Sequence, residues 1–581
     1  MSVLACTLAA VLISCPPPLT QDAKTAQSVR NYDVRALVSH ASIPNDVADP
    51  RLPLDAAFLH SLEVDPGMLE WPTIGSMPHE DWGRVLLRLL PREQHEEVEV
   101  LEENHELLTV SATERGHERV GNLLRDIEAL LLQDVLIEAH TLKPEVLDRA
   151  RGAYLSADEV DALLASSDLL ESRMLRTRMG RAASLRMVSG QAFLSDYNVE
   201  VAQYQAGAEP LVSVLFEGLL GGVHVEPAAG GELTVRSWMR YAKLHRPLES
   251  IEIAWKGARL HQPVVDTLLA VASADCPAGG GLLLGSAGAP VCVLVRARRA
   301  GPPPDVFQGS TIIDLHAELD IPFLVFPYKP GGPSPSGGFS PPDWDPESLR
   351  TGPNWQVSSG RSALDGVFSE VGLDPRFLLV GKYLIIAGDP EEQERARAAV
   401  MEMRLPRART YEIEARFGDV DARFASRLGE LDGDFDWVDD LDGRVLGTAR
   451  AGDSLLLVGG EQRLYLREYD LEVAAGVAIG DPIIESLFDG AYFWARVLPL
   501  SDGSVSFTHS TLLQDIEEGV PAIESDAEDT HVRGMTFPRA QRMESWSEHA
   551  MPLNRWTLIK TGPAAPGKTR VLVVRVREAQ L

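Results

Sequence analysis

The chain has 581 residues, 45% of them hydrophobic, an ordinary share for globular domains that excludes a chain disordered throughout. Its 85 acidic against 54 basic residues leave a net charge of −31, a field that repels nucleic acid phosphates and anionic lipid headgroups, so nucleic acid is not an expected partner. The length suffices for about four domains.

The first fourteen residues, MSVLACTLAAVLIS, are apolar but too short to span a bilayer, and Cys15 with PPPLTQDAKT ends the run. The pattern predicts an export signal within residues 1–22. Leu12, Ile13, Ser14 and Cys15 resemble the lipobox of bacterial lipoproteins. That resemblance implies lipidation of Cys15 and a chain exported to the periplasm or outer membrane. Further on, the acidic stretch Glu93 to Glu106 (EQHEEVEVLEENHE) carries His95 and His105, but it has neither EF-hand spacing nor a close His pair. It reads as a solvated face.

LTVSATERGHERVGNLL, from Leu108, predicts a strand, a cap at Thr113 and a helix with the apolar stripe Val120, Leu123, Leu124, Ile127 and Leu131. A strand, VLIEAHTL, follows from Val135. The same order returns at LIIAGDPEEQERARAAV, from Leu384, with Asp389 as cap, Pro390 at the first helical position and YEIEARFG from Tyr411. YNVEVAQYQAGAEPLVSVLFEG (Tyr197 to Gly218) aligns without a gap on YDLEVAAGVAIGDPIIESLFDG (Tyr469 to Gly490), with nine of 22 positions identical. Arg-punctuated strands, Cys292 to Arg298 and Val571 to Arg577, close each unit. The chain therefore reads as two tandem units of roughly 275 residues.

The expected fold class is α+β: in each copy a small αβ module precedes a β-rich domain. The boundaries are 23–130 and 131–300 for the first copy, 301–405 and 406–581 for the second. RRAGPPPD, near residue 300, marks the seam, and PYKPGGPSPSGGFSPPDWD (Pro327 to Asp345) reads as an exposed loop or linker. Its Ser334 and Ser336 do not form the Gly-x-Ser-x-Gly elbow of a hydrolase.

One stretch has a formal phosphate-binding signature: TGPAAPGKT, with Gly562, Gly567, Lys568 and Thr569. A phosphate cradle needs backbone N–H donors and a following helix, whereas Pro563 and Pro566 lack donors and Thr569 to Arg577 is a β-branched run. The corresponding GSAGAPVC, Gly285 to Cys292, has no Gly-Lys-Thr. Both read as hairpin connections, and a nucleotide-binding enzyme through Gly562 to Thr569 is the least favoured function. Once a signal is removed, Cys276 and Cys292 remain. They form either a disulfide in an oxidising periplasm or two separate thiols, one buried in VCVLVRAR. No CxxC or HExxH spacing occurs, so no metal or cofactor is expected.

Each unit runs from VLIEA or YEIEA through a Gly-containing strand pair (MGRAASLRMVSGQAF; RAGDSLLLVGGEQRL) to EGLLGGVHVEPAAGGELTVRSWM or DGAYFWARVLPLSDGSVSFTHST. In this order the chain resembles the secretin family of type II and type III secretion systems and type IV pili. The matching positions are Ile137, Glu138 and Ala139 with Ile413, Glu414 and Ala415, Gly218 with Gly490, and Pro227 with Pro499. The resemblance gives them structural roles. It implies a non-enzymatic envelope protein whose partners are its own copies or secretion-apparatus proteins, with outer-membrane association. The alternative is a soluble or lipid-tethered scaffold that keeps the fold and binds another protein. No stretch clearly offers the alternating apolar pattern with aromatic girdles of a membrane-barrel wall.

Overall fold

The computed structural model describes residues 27–33, 98–103, 107–131, 133–179, 182–202, 205–228, 232–252, 259–276, 279–301, 311–314, 376–380, 383–387, 390–403, 409–425, 427–428, 435–474, 477–500, 502–520, 537–564 and 566–579. The export segment with Cys15, the stretch Pro327 to Asp345 with Ser334 and Ser336, the cap Asp389 and the prolines of RRAGPPPD lie outside them.

Strand predominates among the described residues. Strands β1 (Ser28–Asp33), β2 (Val98–Glu103) and β3 (Leu107–Ala112) form a small sheet in the order β1-β3-β2, so part of the acidic stretch is a strand. Thr113 Oγ1 accepts the Gly116 N–H at 3.1 Å and starts helix α1 (Glu114–Leu131), which buries Val120 and Ile127. Strands β15 (Thr311–Asp314), β16 (Arg376–Val380) and β17 (Tyr383–Ala387) form a second small sheet in the order β15-β17-β16, followed by helix α4 (Pro390–Met403).

The β-rich stretches build two large sheets and a two-stranded one of β10 (Glu249–Glu252) and β11 (Arg259–Gln262). The first, in the order β23-β22-β21-β20-β12-β9-β8-β7, uses β7 (Ala182–Ala202), β8 (Gln205–Pro227), β9 (Leu233–Leu244), β12 (Val264–Cys276), β20 (Ser454–Ala474), β21 (Val477–Pro499), β22 (Val505–Val520) and β23 (Phe537–Met551). The second, in the order β24-β25-β18-β19-β13-β14-β4-β6, uses β4 (Asp134–Leu142), β6 (Leu169–Arg178), β13 (Gly281–Ser286), β14 (Cys292–Arg299), β18 (Thr410–Asp421), β19 (Gly443–Arg450), β24 (Trp556–Pro563) and β25 (Lys568–Glu578), with β5 (Tyr154–Leu155) on β13.

The aligned 22-residue segments are hairpins rather than single strands. β7 and β20 each have 21 residues and β8 and β21 each have 23, at the constant separation of 272 residues from Ala182 to Ser454. The register shifts once in each hairpin, at Leu194/Asp196 and at Leu466/Glu468.

Strand alternation sorts the side chains. Ile137 and Ala139 of β4, Val293 and Val295 of β14, Ile413 of β18 and Val574 of β25 face inward. They meet Val223, Val235, Leu268, Leu457, Phe493 and Phe507 of the other sheet in one core shared by both halves of the chain. On its other face the first sheet gathers Trp238, Phe488, Tyr492 and Trp494, with Trp546 stacked on Trp494 at 6.0 Å. Such an aromatic assembly is invisible in the linear chain, because its members sit on three different strands.

Cys276 and Cys292 are both buried free thiols. Cys276 belongs to the core between the sheets. Cys292 lies on the opposite face of the second sheet, under α2 (Val146–Arg149) and α3 (Ala157–Leu164). Burial pushes the Cys292 thiol up to about 12 and raises that of Cys276 as well.

TGPAAPGKT is a hairpin connection. β24 pairs with β25 down to Pro563↔Thr569, and Gly567 takes a φ of +78° in the turn. A strand follows, so the loop does not lead into a helix as a phosphate cradle does, and the Gly567 carbonyl accepts the Ala422 N–H at 3.0 Å. The wild-type chain and Lys568→Ala are expected to give the same flat titration with ATP by calorimetry; saturable binding abolished in the variant would restore the nucleotide reading.

Candidate assembly surface

The two halves of the chain meet edge to edge. In the first sheet β12 pairs antiparallel with β20, from Val264↔Arg463 to Val271↔Leu456. In the second, β13 pairs with β19 at Gly285↔Leu446 and Ser286↔Val445. The turn after β13 also rests on β20. A Cβ on Gly288 would lie 3.4 Å from the Gly460 Cα, and one on Gly459 would lie 2.6 Å from the Ser286 Cβ. Gly460 in turn pairs with Gly490, and a Cβ on Gly460 would meet the Asp489 carbonyl oxygen at 2.2 Å. This close approach requires glycine.

Polar groups of the second half also hold the backbone of the first. Glu412, on the outward face of β18, accepts the Ala153 N–H at 2.6 Å and pairs with Arg577, whose guanidinium also donates to the Arg151 carbonyl at 3.0 Å. Arg444 donates to the Leu147 carbonyl and, at 2.8 Å, to Glu414. Burial alone would raise the Glu414 carboxyl, but Arg444, Arg575 and Arg416 outweigh it and hold the group below the usual range. The arginines that punctuate β14 and β25 thus have partners: Arg298 reaches Glu138 at 2.8 Å and Arg575 reaches Glu414 at 2.6 Å.

A second set of charges is sequestered near the same junction. Arg236 donates to Glu226 at 3.0 Å and to Asp453 at 3.4 Å, all three being almost fully buried. Arg450 pairs with Asp275 at 3.2 Å, while Thr234 donates to Asp275 at 2.5 Å. His245, Asp266 and Glu461 also converge, their ligand atoms lying within 4.8 Å of one another. Asp266 and Glu461 face each other in register, with His245 Nε2 at 2.9 Å from Asp266 and Arg463 on Glu461. Sequence spacing gave no sign of this trio, since Glu461 reaches it only through the pairing of β12 with β20.

The outermost strands are β7 and β23 in the first sheet and β6 and β24 in the second. Several large apolar side chains are exposed there: Leu170 (52%) and Met174 (60%) on β6 and Val188 (38%) on β7. Near the β23 edge, His509 Nε2 lies 3.1 Å from Ser545 Oγ and its ring stacks on Phe507. Burial and the nearby His549 push His509 down to about 4.

Of the sequence-predicted residues, Glu138 and Glu414 occupy corresponding ion-pair positions, and Gly218 and Gly490 are both positive-φ residues. Cys15 lies outside the described residues.

No family model matches the sequence, and no curated protein matches it. Among solved structures it is similar to the secretin-domain β-barrel of InvG from the Salmonella SPI-1 injectisome, at 11% identity and a TM-score of 0.20, over 36% of this chain and 75% of that one. The type II secretin GspD of enteropathogenic Escherichia coli gives 7% identity and a TM-score of 0.17, covering 39% and 85%. Aeromonas hydrophila ExeD gives 7% and 0.17, covering 96% and 90%.

Replacing Arg236 with alanine would leave Glu226 and Asp453 as buried carboxylates, so urea denaturation should show a loss of about 3–5 kcal/mol; a loss below about 1 kcal/mol would contradict a stabilising role for this triad. For His509 the folded state binds a proton less readily than the unfolded state. Its contribution is full above pH 6.5 and is lost as pH falls toward 4, by about 3 kcal/mol at most. His509→Gln should flatten that acid limb, and an unchanged limb would assign it to other groups.

Proposed function

We propose that this chain is a non-enzymatic structural component of a bacterial envelope assembly of the secretin type, exported and lipid-anchored through Cys15. The carrying observation is that both large sheets run unbroken across the junction of the two halves and end in strands with no further strand in the hydrogen-bonded order among the described residues. A strand edge offers N–H and C=O groups to another chain, and natural monomers usually blunt or cover it. The repeated strand motifs, the equal hairpins and the matching orders of the small sheets support two tandem copies of one unit, each an αβ module with a β-rich domain.

Outer-membrane association has its own support. Hairpin strands of 21 and 23 residues exceed the roughly 9–11 needed to cross a bilayer. No described helix is long and apolar enough to cross a membrane, which says nothing of strands. The partners in this reading are further copies of the chain and secretion-apparatus proteins.

Expression of the full chain with its signal, mild-detergent extraction of the envelope, sizing chromatography and negative-stain microscopy test the reading. Membrane-bound assemblies of many chains are expected. A small soluble or lipid-tethered species would instead support the scaffold that binds another protein.

A further inference from the structure

The junction inside the chain has a counterpart at its outer edges. Leu268 of β12 pairs with Tyr241 of β9 as Met543 of β23 pairs with Leu513 of β22, so β23 stands in the second half where β12 stands in the first. By the same comparison of registers, β7 corresponds to β20, β6 to β19 and β24 to β13. The internal junction joins β12 to β20 and β13 to β19. The outermost strands β23 and β24 at one end, and β7 and β6 at the other, are therefore the same two pairs of edges without a paired strand among the described residues.

Burial follows this correspondence. Leu446, on β19 inside the junction, is fully buried, whereas its counterpart Met174 on β6 is 60% exposed. The turns behave alike. Gly288 and Gly567 share a φ of +78°, but Gly288 packs against Gly460 while a Cβ at Gly567 would meet nothing within 4 Å. The position corresponding to Gly460 on the other edge is Val188, one of the exposed apolar side chains. Farther along β7 the edge is already engaged, since His261 Nδ1 accepts the Leu194 N–H at 3.0 Å. The segment below it is the one that the internal register would cover.

We infer that a second copy of this chain docks head to tail, its β7 and β6 pairing with β23 and β24 of the first in the register of the internal junction. Transposed, Asp266↔Glu461 becomes Gln541↔Ser189, Leu269↔Val458 becomes Glu544↔Arg186, and Gly285↔Leu446 becomes Thr561↔Met174. The turn of TGPAAPGKT becomes the docking turn, placing Gly567, the counterpart of Gly288, at Val188 of the next copy. Each chain supplies two consecutive positions, so the number of repeat units in the assembly is twice the number of chains and always even. A head-to-tail contact of this kind closes into a ring or extends as a filament.

The inference rests on the self-assembly reading above, and cysteine crosslinking separates the two. Two double variants, Gln541→Cys with Ser189→Cys and Thr561→Cys with Met174→Cys, each place cysteines directly opposite across one sheet, within disulfide reach. Gln541→Cys with Gln191→Cys is two residues out of register on the same face. The full chain in mild detergent is oxidised and run on a denaturing gel without reductant, alongside its mass in solution. Ladders of covalent multimers are expected for both in-register variants and a several-fold weaker ladder for the displaced one. Large assemblies whose displaced variant crosslinks as well as, or better than, the in-register pairs would overturn this register while leaving self-assembly standing. A chain that stays monomeric by mass, with no ladder from any variant, would overturn both.

Discussion

The structure depends on backbone pairing across one line, where β12 meets β20 and β13 meets β19. Without it each half would present a raw strand edge in both sheets, and the shared apolar core would be cut open. With it, Ile137 and Val295 of the first half bury against the same core as Ile413 and Phe493 of the second. Backbone groups in a sheet interior have no water to bond to, so the neighbouring strand is the condition for burying them.

That line also accounts for the placement of charge in an acidic chain. Carboxylates such as Glu226, Asp275 and Glu412 are almost fully withdrawn from water, which is tolerable only because Arg236, Arg450 and Arg577 lie against them. Gly152 shows how tightly the clamp is drawn, since a Cβ there would fall 2.1 Å from the Glu412 carboxylate. The regularly spaced arginines of β14 and β25 are thereby structural.

Local readings of the sequence succeeded where local physics decides. Thr113 caps its helix because a hydroxyl meets the free N–H groups of the first turn wherever the helix is packed. VLIEA and YEIEA, read as strands, are strands, and their pleat puts Ile137 and Ile413 on the core face and Glu138 and Glu414 on the other. The prolines in TGPAAPGKT and the β-branched run after it identified a hairpin. The alignment of Tyr197 to Gly218 with Tyr469 to Gly490 located equivalent segments, although their division into two long strands at a turn was not visible in it.

By itself, then, the sequence determined strand and helix content, the turns, the recurrence of motifs and the facing of side chains, all of which depend on neighbours a few residues apart. Only the tertiary structure decided that the β-rich halves share two continuous sheets and that Cys276 and Cys292 lie in separate layers. It alone brought His245, Asp266 and Glu461 together and gathered Trp238, Trp494 and Trp546 on one face. Those outcomes follow from which strand edges meet, and pairing between edges almost two hundred residues apart leaves no periodic trace in the chain.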